Sequence, residues 1–96
     1  MAESLTRNVV VSDPAGVHLR SALVIVQTVQ RGKSRVTIAK GEQPVEATEM
    51  WQIMGLLAQQ GERLTITATG PDAAAVLDAL EPLFAGQFGD EAKKSE

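Results

Sequence analysis

The run Leu64-Thr65-Ile66-Thr67-Ala68-Thr69 alternates apolar and hydroxyl side chains without a fault. Successive side chains of an extended chain point to opposite faces, so this segment has one dry face and one that water wets. Leu5-Thr6-Arg7-Asn8-Val9-Val10-Val11 repeats the pattern, with Leu5, Val9 and Val11 on one face and Thr6 and Asn8 on the other. Arg35-Val36-Thr37-Ile38-Ala39 alternates again, and Gln43-Pro44-Val45-Glu46 reads as a short returning strand after a turn at Gly41. Pro44 lacks an amide hydrogen and places that last strand at a sheet edge. Four short strands with one apolar face need helices stacked on that face. The pattern predicts a two-layer α+β sandwich.

Three segments supply the helices. In Leu19 to Gln30, Ala22, Ile25, Val26 and Val29 recur at helical spacing, and Leu19 and Leu23 are expected to widen the stripe. The β-branched Val24-Ile25-Val26 would also suit a buried strand, but the segment's length favours a helix. Arg31-Gly32-Lys33 ends it. Thr48 is the expected N-cap of a second helix running to about Gln59, with Glu49 in its first turn. Gly70-Pro71-Asp72 opens a third, in which Ala73, Val76, Leu77, Leu80 and Phe84 share a face. Pro82 should loosen its final turn. Gly86 and Gly89 end it. The order is β-α-β-β-α-β-α, one domain over residues 1–89 followed by a charged tail over 90–96.

With 96 residues and 44% hydrophobic content, the chain suits a single modest core. Its net charge is −3, and of nine basic residues only Lys93 and Lys94 adjoin, which argues against nucleic acid as a partner. The threonine face offers no aromatic platform for bases. There is no cysteine, so neither a disulfide framework nor a thiolate metal site is expected. The start has no leader pattern, and no apolar run approaches membrane-spanning length. A soluble, cytoplasmic protein without membrane attachment is the expectation.

Chemistry concentrates in Pro14-Ala15-Gly16-Val17-His18-Leu19-Arg20-Ser21-Ala22, which holds the only histidine. It stands at the mouth of the first predicted helix, where unpaired amides and the helix dipole favour an anion. A neutral imidazole is a nucleophile that can carry a transferable group on a ring nitrogen. Arg20 adds a planar, permanently charged fork suited to phosphate oxygens. Together they suggest a phosphoryl group resting on His18. The plainer alternative is that His18 is a surface or capping residue. A lone histidine without a second ligand makes a poor metal site, and Ser21 lacks the orienting acid of a nucleophilic serine, so no metal or cofactor is expected.

Gly16-Val17-His18-Leu19-Arg20-Ser21-Ala22 is similar to the G-[LMI]-H-A-R-P-A motif of the HPr family, the histidine-containing phosphocarriers of the bacterial phosphotransferase system. The likeness runs without a gap to about Gly89. It includes Thr69-Gly70-Pro71-Asp72 and the Leu83-Phe84-x-x-x-Phe88 ending, which resembles the nitrogen-related NPr branch. The resemblance implies an open-faced sandwich, a four-stranded antiparallel sheet covered on one face by three helices. It implies a monomeric carrier rather than a catalyst, taking a phosphoryl group from phospho-enzyme I on His18 Nδ1 and passing it to an EIIA-type domain in sugar transport. By position His18 is the acceptor, Arg20 the guanidinium beside it, and Gly16, Leu19 and Arg20 surround the phosphate. Two residues depart from the motif. Leu19 replaces a small residue, and Ser21 replaces a proline that would carry no competing N–H.

The second helix bears two further implications of the resemblance. Many HPr proteins carry a regulatory serine at its start, the target of an ATP-dependent kinase, so a regulatory protein or HPr kinase joins the implied partners. Here Glu49 holds that position, with Thr48 beside it as a weak phosphoacceptor. Either Glu49 simply favours the helix dipole, or it imitates the phosphorylated form and biases partner choice, making the chain a regulatory module without a part in sugar transport. Met50, Trp51 and Met54 share one side of this helix, and Ile53, Leu56 and Leu57 another. The first set, by resemblance, surrounds the histidine and docks partners. The alternative for Trp51 is half-buried packing.

Overall fold

The alternating strands meet in one antiparallel sheet of order β1-β4-β2-β3, seen in a computed structural model that describes residues 4–87. β1 (Ser4–Val10) pairs with β4 (Arg63–Thr69) from Ser4 opposite Thr69 to Val10 opposite Arg63. β2 (Arg35–Lys40) flanks the other side of β4, with Ile38 opposite Ile66, and β3 (Gln43–Glu46) closes the edge. Pro44 therefore lies on an edge strand, where its missing N–H costs no central ladder bond. The faultless alternation of β4 explains its central place. Leu64, Ile66 and Ala68 are all buried, while its threonines bond sideways on the open face. Thr67 meets Thr6 at 3.1 Å, and Thr65 donates to Asn8 at 2.9 Å.

The helices α1 (Leu19–Arg31), α2 (Met50–Gly55) and α3 (Ala73–Leu80) provide the remaining core, together with a closing 3-10 turn over Glu81–Ala85. The four-stranded antiparallel sheet with three helices is the predicted open-faced sandwich. Pro82 sits in the first turn of the 3-10 segment, so the last helix tightens where a proline removes an α-helical bond. Phe84 stays buried at 2% exposure despite that change. Phe88, Gly89 and the 90–96 tail lie outside the described residues.

Two helical expectations need correction. Leu19 and Leu23 do not widen the buried stripe of α1; they are 54% and 45% exposed. The buried set is Ser21, Ala22, Ile25, Val26 and Val29. At about 100° per residue, the middle of that arc lies roughly 90° from Leu19 and 130° from Leu23. The second correction concerns α2, which starts after Glu49 rather than Thr48 and stops at Gly55, short of Gln59. Leu57 takes a left-handed backbone (φ 53°) and is 71% exposed, so it does not join Ile53 and Leu56 inside. The ammonium of Lys40 occupies the carbonyls of Leu56 (3.1 Å) and Leu57 (3.4 Å), and the Val17 N–H takes that of Ala58 (2.9 Å). Those tertiary bonds replace the helical ones that would have continued α2.

Candidate functional site

His18 stands where the chain turns into α1, with the extended backbone of a cap residue (φ −124°, ψ −177°). Its ring does the capping. The Ser21 N–H donates to His18 Nδ1 at 3.4 Å, and the His18 N–H donates to Ser21 Oγ at 2.9 Å. This reciprocal pair is a capping box with an imidazole in the place usually held by a hydroxyl. The capping and chemical readings of His18 are therefore compatible. Capping aims the Nδ1 lone pair at the amides of the first helical turn, where an anion is favoured. Ser21, 2% exposed, supplies the competing N–H that proline would lack.

The other ring nitrogen faces Asp13, with Nε2 3.4 Å from Oδ2. The Asp13 side chain is 14% exposed and that of His18 33%, so the contact is partly sheltered from water. Sequence reasoning passed over Asp13, reading Ser12-Asp13-Pro14-Ala15-Gly16 only as a turn. The available signal was an aspartate before proline, a residue that characteristically bonds the backbone two positions on. It does so here. The Ala15 N–H donates to Asp13 Oδ1 at 2.9 Å, and the Gly16 N–H donates to the Asp13 carbonyl at 2.8 Å.

Gly16 is buried with φ +70°, and a Cβ there would lie 2.6 Å from the Ala58 carbonyl oxygen. Glycine thus lets the loop lie against the segment after α2, the close approach being to Ala58. That segment is braced in turn. Glu62 accepts from the Gln59 N–H at 2.8 Å and pairs with Lys40 at 3.1 Å. The Gln59 amide, and after it the Lys40 ammonium, hold the Glu62 carboxyl below its ordinary range. Leu19 and Arg20 follow His18 in the first turn of α1, both exposed.

Chain continuity thus brings Gly16, His18, Leu19 and Arg20 together. The α2 residues differ in exposure. Trp51 is 76% exposed, which overturns the half-buried packing reading, whereas Met50 and Met54 pack partly against the core. Thr48 and Glu49 are exposed at the far end of α2 from the Ala58 contact, with the six-residue helix, roughly 9 Å, between. Glu49 is the N-cap, not a first-turn residue, and its side chain makes no capping hydrogen bond. Among the described residues, no group of three or more His, Asp or Glu is placed to hold a metal, and no helix is long and apolar enough to cross a membrane.

The family described as the PTS HPr component phosphorylation site matches residues 5–86. The phosphocarrier protein HPr of Treponema pallidum is 34% identical over 91% of this chain and 99% of its own length. The phosphocarrier protein NPr of Shewanella violacea is 31% identical over 92% of this chain and 96% of its own. A crystal structure of HPr from Bacillus anthracis is 32% identical, covers 83% of this chain and 95% of its own, and superposes with a TM-score of 0.79.

Proposed function

The chain belongs to the PTS-HPr family of phosphocarriers, and from that premise we propose that it takes a phosphoryl group on Nδ1 of His18 from phospho-enzyme I and passes it to an EIIA-type domain. The single observation that supports the choice of atom is the capping geometry: Nδ1 points at the Ser21 N–H, into the mouth of α1. A phosphoryl group bound there meets helix amides in place of the weak cap bond, with the Arg20 guanidinium in the same turn. The protein is a relay, and the neighbouring enzymes supply the catalysis. Trp51, exposed on α2, and Leu19, exposed on α1, are the apolar contacts a partner would cover.

The test is intact mass after incubation with enzyme I and phosphoenolpyruvate. The expected result is an acid-labile gain of one phosphate that His18→Ala abolishes. Gain that survives His18→Ala would place the phosphate elsewhere. A second reading, a regulatory module whose partners respond to a fixed charge, draws on Glu49. That carboxylate is exposed and uncapped at the start of α2, free to meet a partner. Under this reading Glu49→Ser changes partner affinity while leaving phosphate uptake intact.

A further inference from the structure

The geometry points to Asp13 as the positioning residue for His18, an assignment that rests on the reading of His18 Nδ1 as phosphoryl acceptor. Asp13 divides its carboxylate between two tasks. Oδ1 accepts the Ala15 N–H at 2.9 Å, which fixes the side chain to its own turn, and Oδ2 lies 3.4 Å from His18 Nε2. The turn is anchored from outside as well. The Ser12 and Asp13 N–H groups both reach the Phe84 carbonyl, at 3.1 and 3.3 Å. Gly86 then passes so close that a Cβ on it would sit 2.8 Å from Asp13 Oδ2. The closing 3-10 turn thus shapes the space in which the carboxylate meets the ring.

A carboxylate accepts but does not donate, so Asp13 favours the imidazole tautomer with its proton on Nε2, the same tautomer whose Nδ1 lone pair accepts the Ser21 N–H. Transfer then balances without a proton leaving. The Nδ1 lone pair forms the new N–P bond, the bond from phosphorus to the donor breaks, and its electron pair departs with the donor. The ring keeps its Nε2 proton and gains one positive charge, which faces the Asp13 carboxylate. At 3.4 Å the contact is longer than a settled hydrogen bond, and the new ring charge draws it in. Asp13 acts through His18 and does not touch the phosphate.

The experiment uses the whole 96-residue chain with nitrogen-15 labelling. Ring-nitrogen NMR of the unphosphorylated protein should show His18 protonated on Nε2. Asp13→Asn keeps an oxygen for the Ala15 N–H but removes the charge. It should leave the thermal melt almost unchanged, populate both tautomers, and slow phosphate gain by about tenfold to a hundredfold. A purely structural role would shift the melt without moving the tautomer. A wild-type ring protonated on Nδ1, or an Asp13→Asn protein with unaltered tautomer and rate, overturns the assignment while the carrier reading stands. No phosphate gain in the wild-type protein overturns both.

Discussion

α1 and α3 both begin just after a short turn containing proline and aspartate, yet the two helix mouths are built for different ends. At α3 the N-cap Asp72 turns away from its own helix. It accepts the Ser34 hydroxyl and, at 2.9 Å, the Lys33 N–H. Ser34 is buried at 7% exposure, and Gly70 presses on it so closely that a Cβ would lie 2.6 Å from its hydroxyl. At α1 the N-cap His18 turns its ring toward its helix, where Nδ1 accepts the Ser21 N–H at a long 3.4 Å. Its aspartate, Asp13, spends one oxygen on the turn and gives the other to the ring. One cap is tied to partners outside its helix, and the other faces its helix through a bond that an incoming group can replace. Local chemistry is similar; what differs is whether the cap itself can react.

Substitutions at the two mouths should therefore separate stability from transfer. The largest combined effect is expected for Gly16→Ala. Its left-handed backbone and the 2.6 Å approach to Ala58 together cost about 3 kcal/mol, roughly 15 °C in melting temperature, and the displaced loop carries His18 with it. Calorimetry and phosphorylation should both fall. An unaltered melt would mean that the loop does not depend on this contact.

Ser34→Ala comes next and should act on stability alone. Removing the hydroxyl leaves Asp72 short of a partner and costs about 1 to 2 kcal/mol, or roughly 5 to 10 °C, with phosphate uptake unchanged. The same mouth gives an acid signature. The Ser34 hydroxyl, then the Lys33 amide, hold the Asp72 carboxyl below its ordinary 3.8. The folded protein thus stays ionised there while the unfolded chain takes up protons. This contribution is complete above about pH 4 and is lost as pH falls through the lower folded value. Ser34→Ala should flatten that acid limb in a series of melts.

Arg20→Ala should show the reverse separation. The side chain is exposed, so stability should stay within about 0.5 kcal/mol. Phosphate transfer should slow by about tenfold to a hundredfold, the worth of one charge-assisted hydrogen bond. Equal rates in rapid-quench kinetics would remove Arg20 from the phosphate's surroundings. Glu49→Ser is the smallest change for this site. It should leave melting and uptake alike, with an effect confined to partner affinity.

Much of this was legible in the sequence because it rests on periodicity. The strands, their order along the chain, the edge position of Pro44 and the break in α-helical bonding at Pro82 each follow from local rules. The end of α2 was not legible. It depends on Lys40 and Val17, distant residues that claim the carbonyls of Leu56, Leu57 and Ala58. The exposure of Leu19 and Leu23 escaped for a related reason: periodicity finds a stripe, but the sheet decides which arc of the helix is its centre. At the site, His18, Arg20 and Gly16 stood out by type and spacing. Asp13 did not, since its meaning comes from the folded approach of its second oxygen to the ring.

The central claim is that the phosphoryl group resides on the nitrogen facing the mouth of α1. Phosphorylating the labelled protein with enzyme I and phosphoenolpyruvate, then recording ring-nitrogen and phosphorus NMR, tests it most directly. The account predicts phosphorus coupled to Nδ1 of His18 with the proton retained on Nε2. Phosphorus on Nε2, the nitrogen facing Asp13, would contradict it.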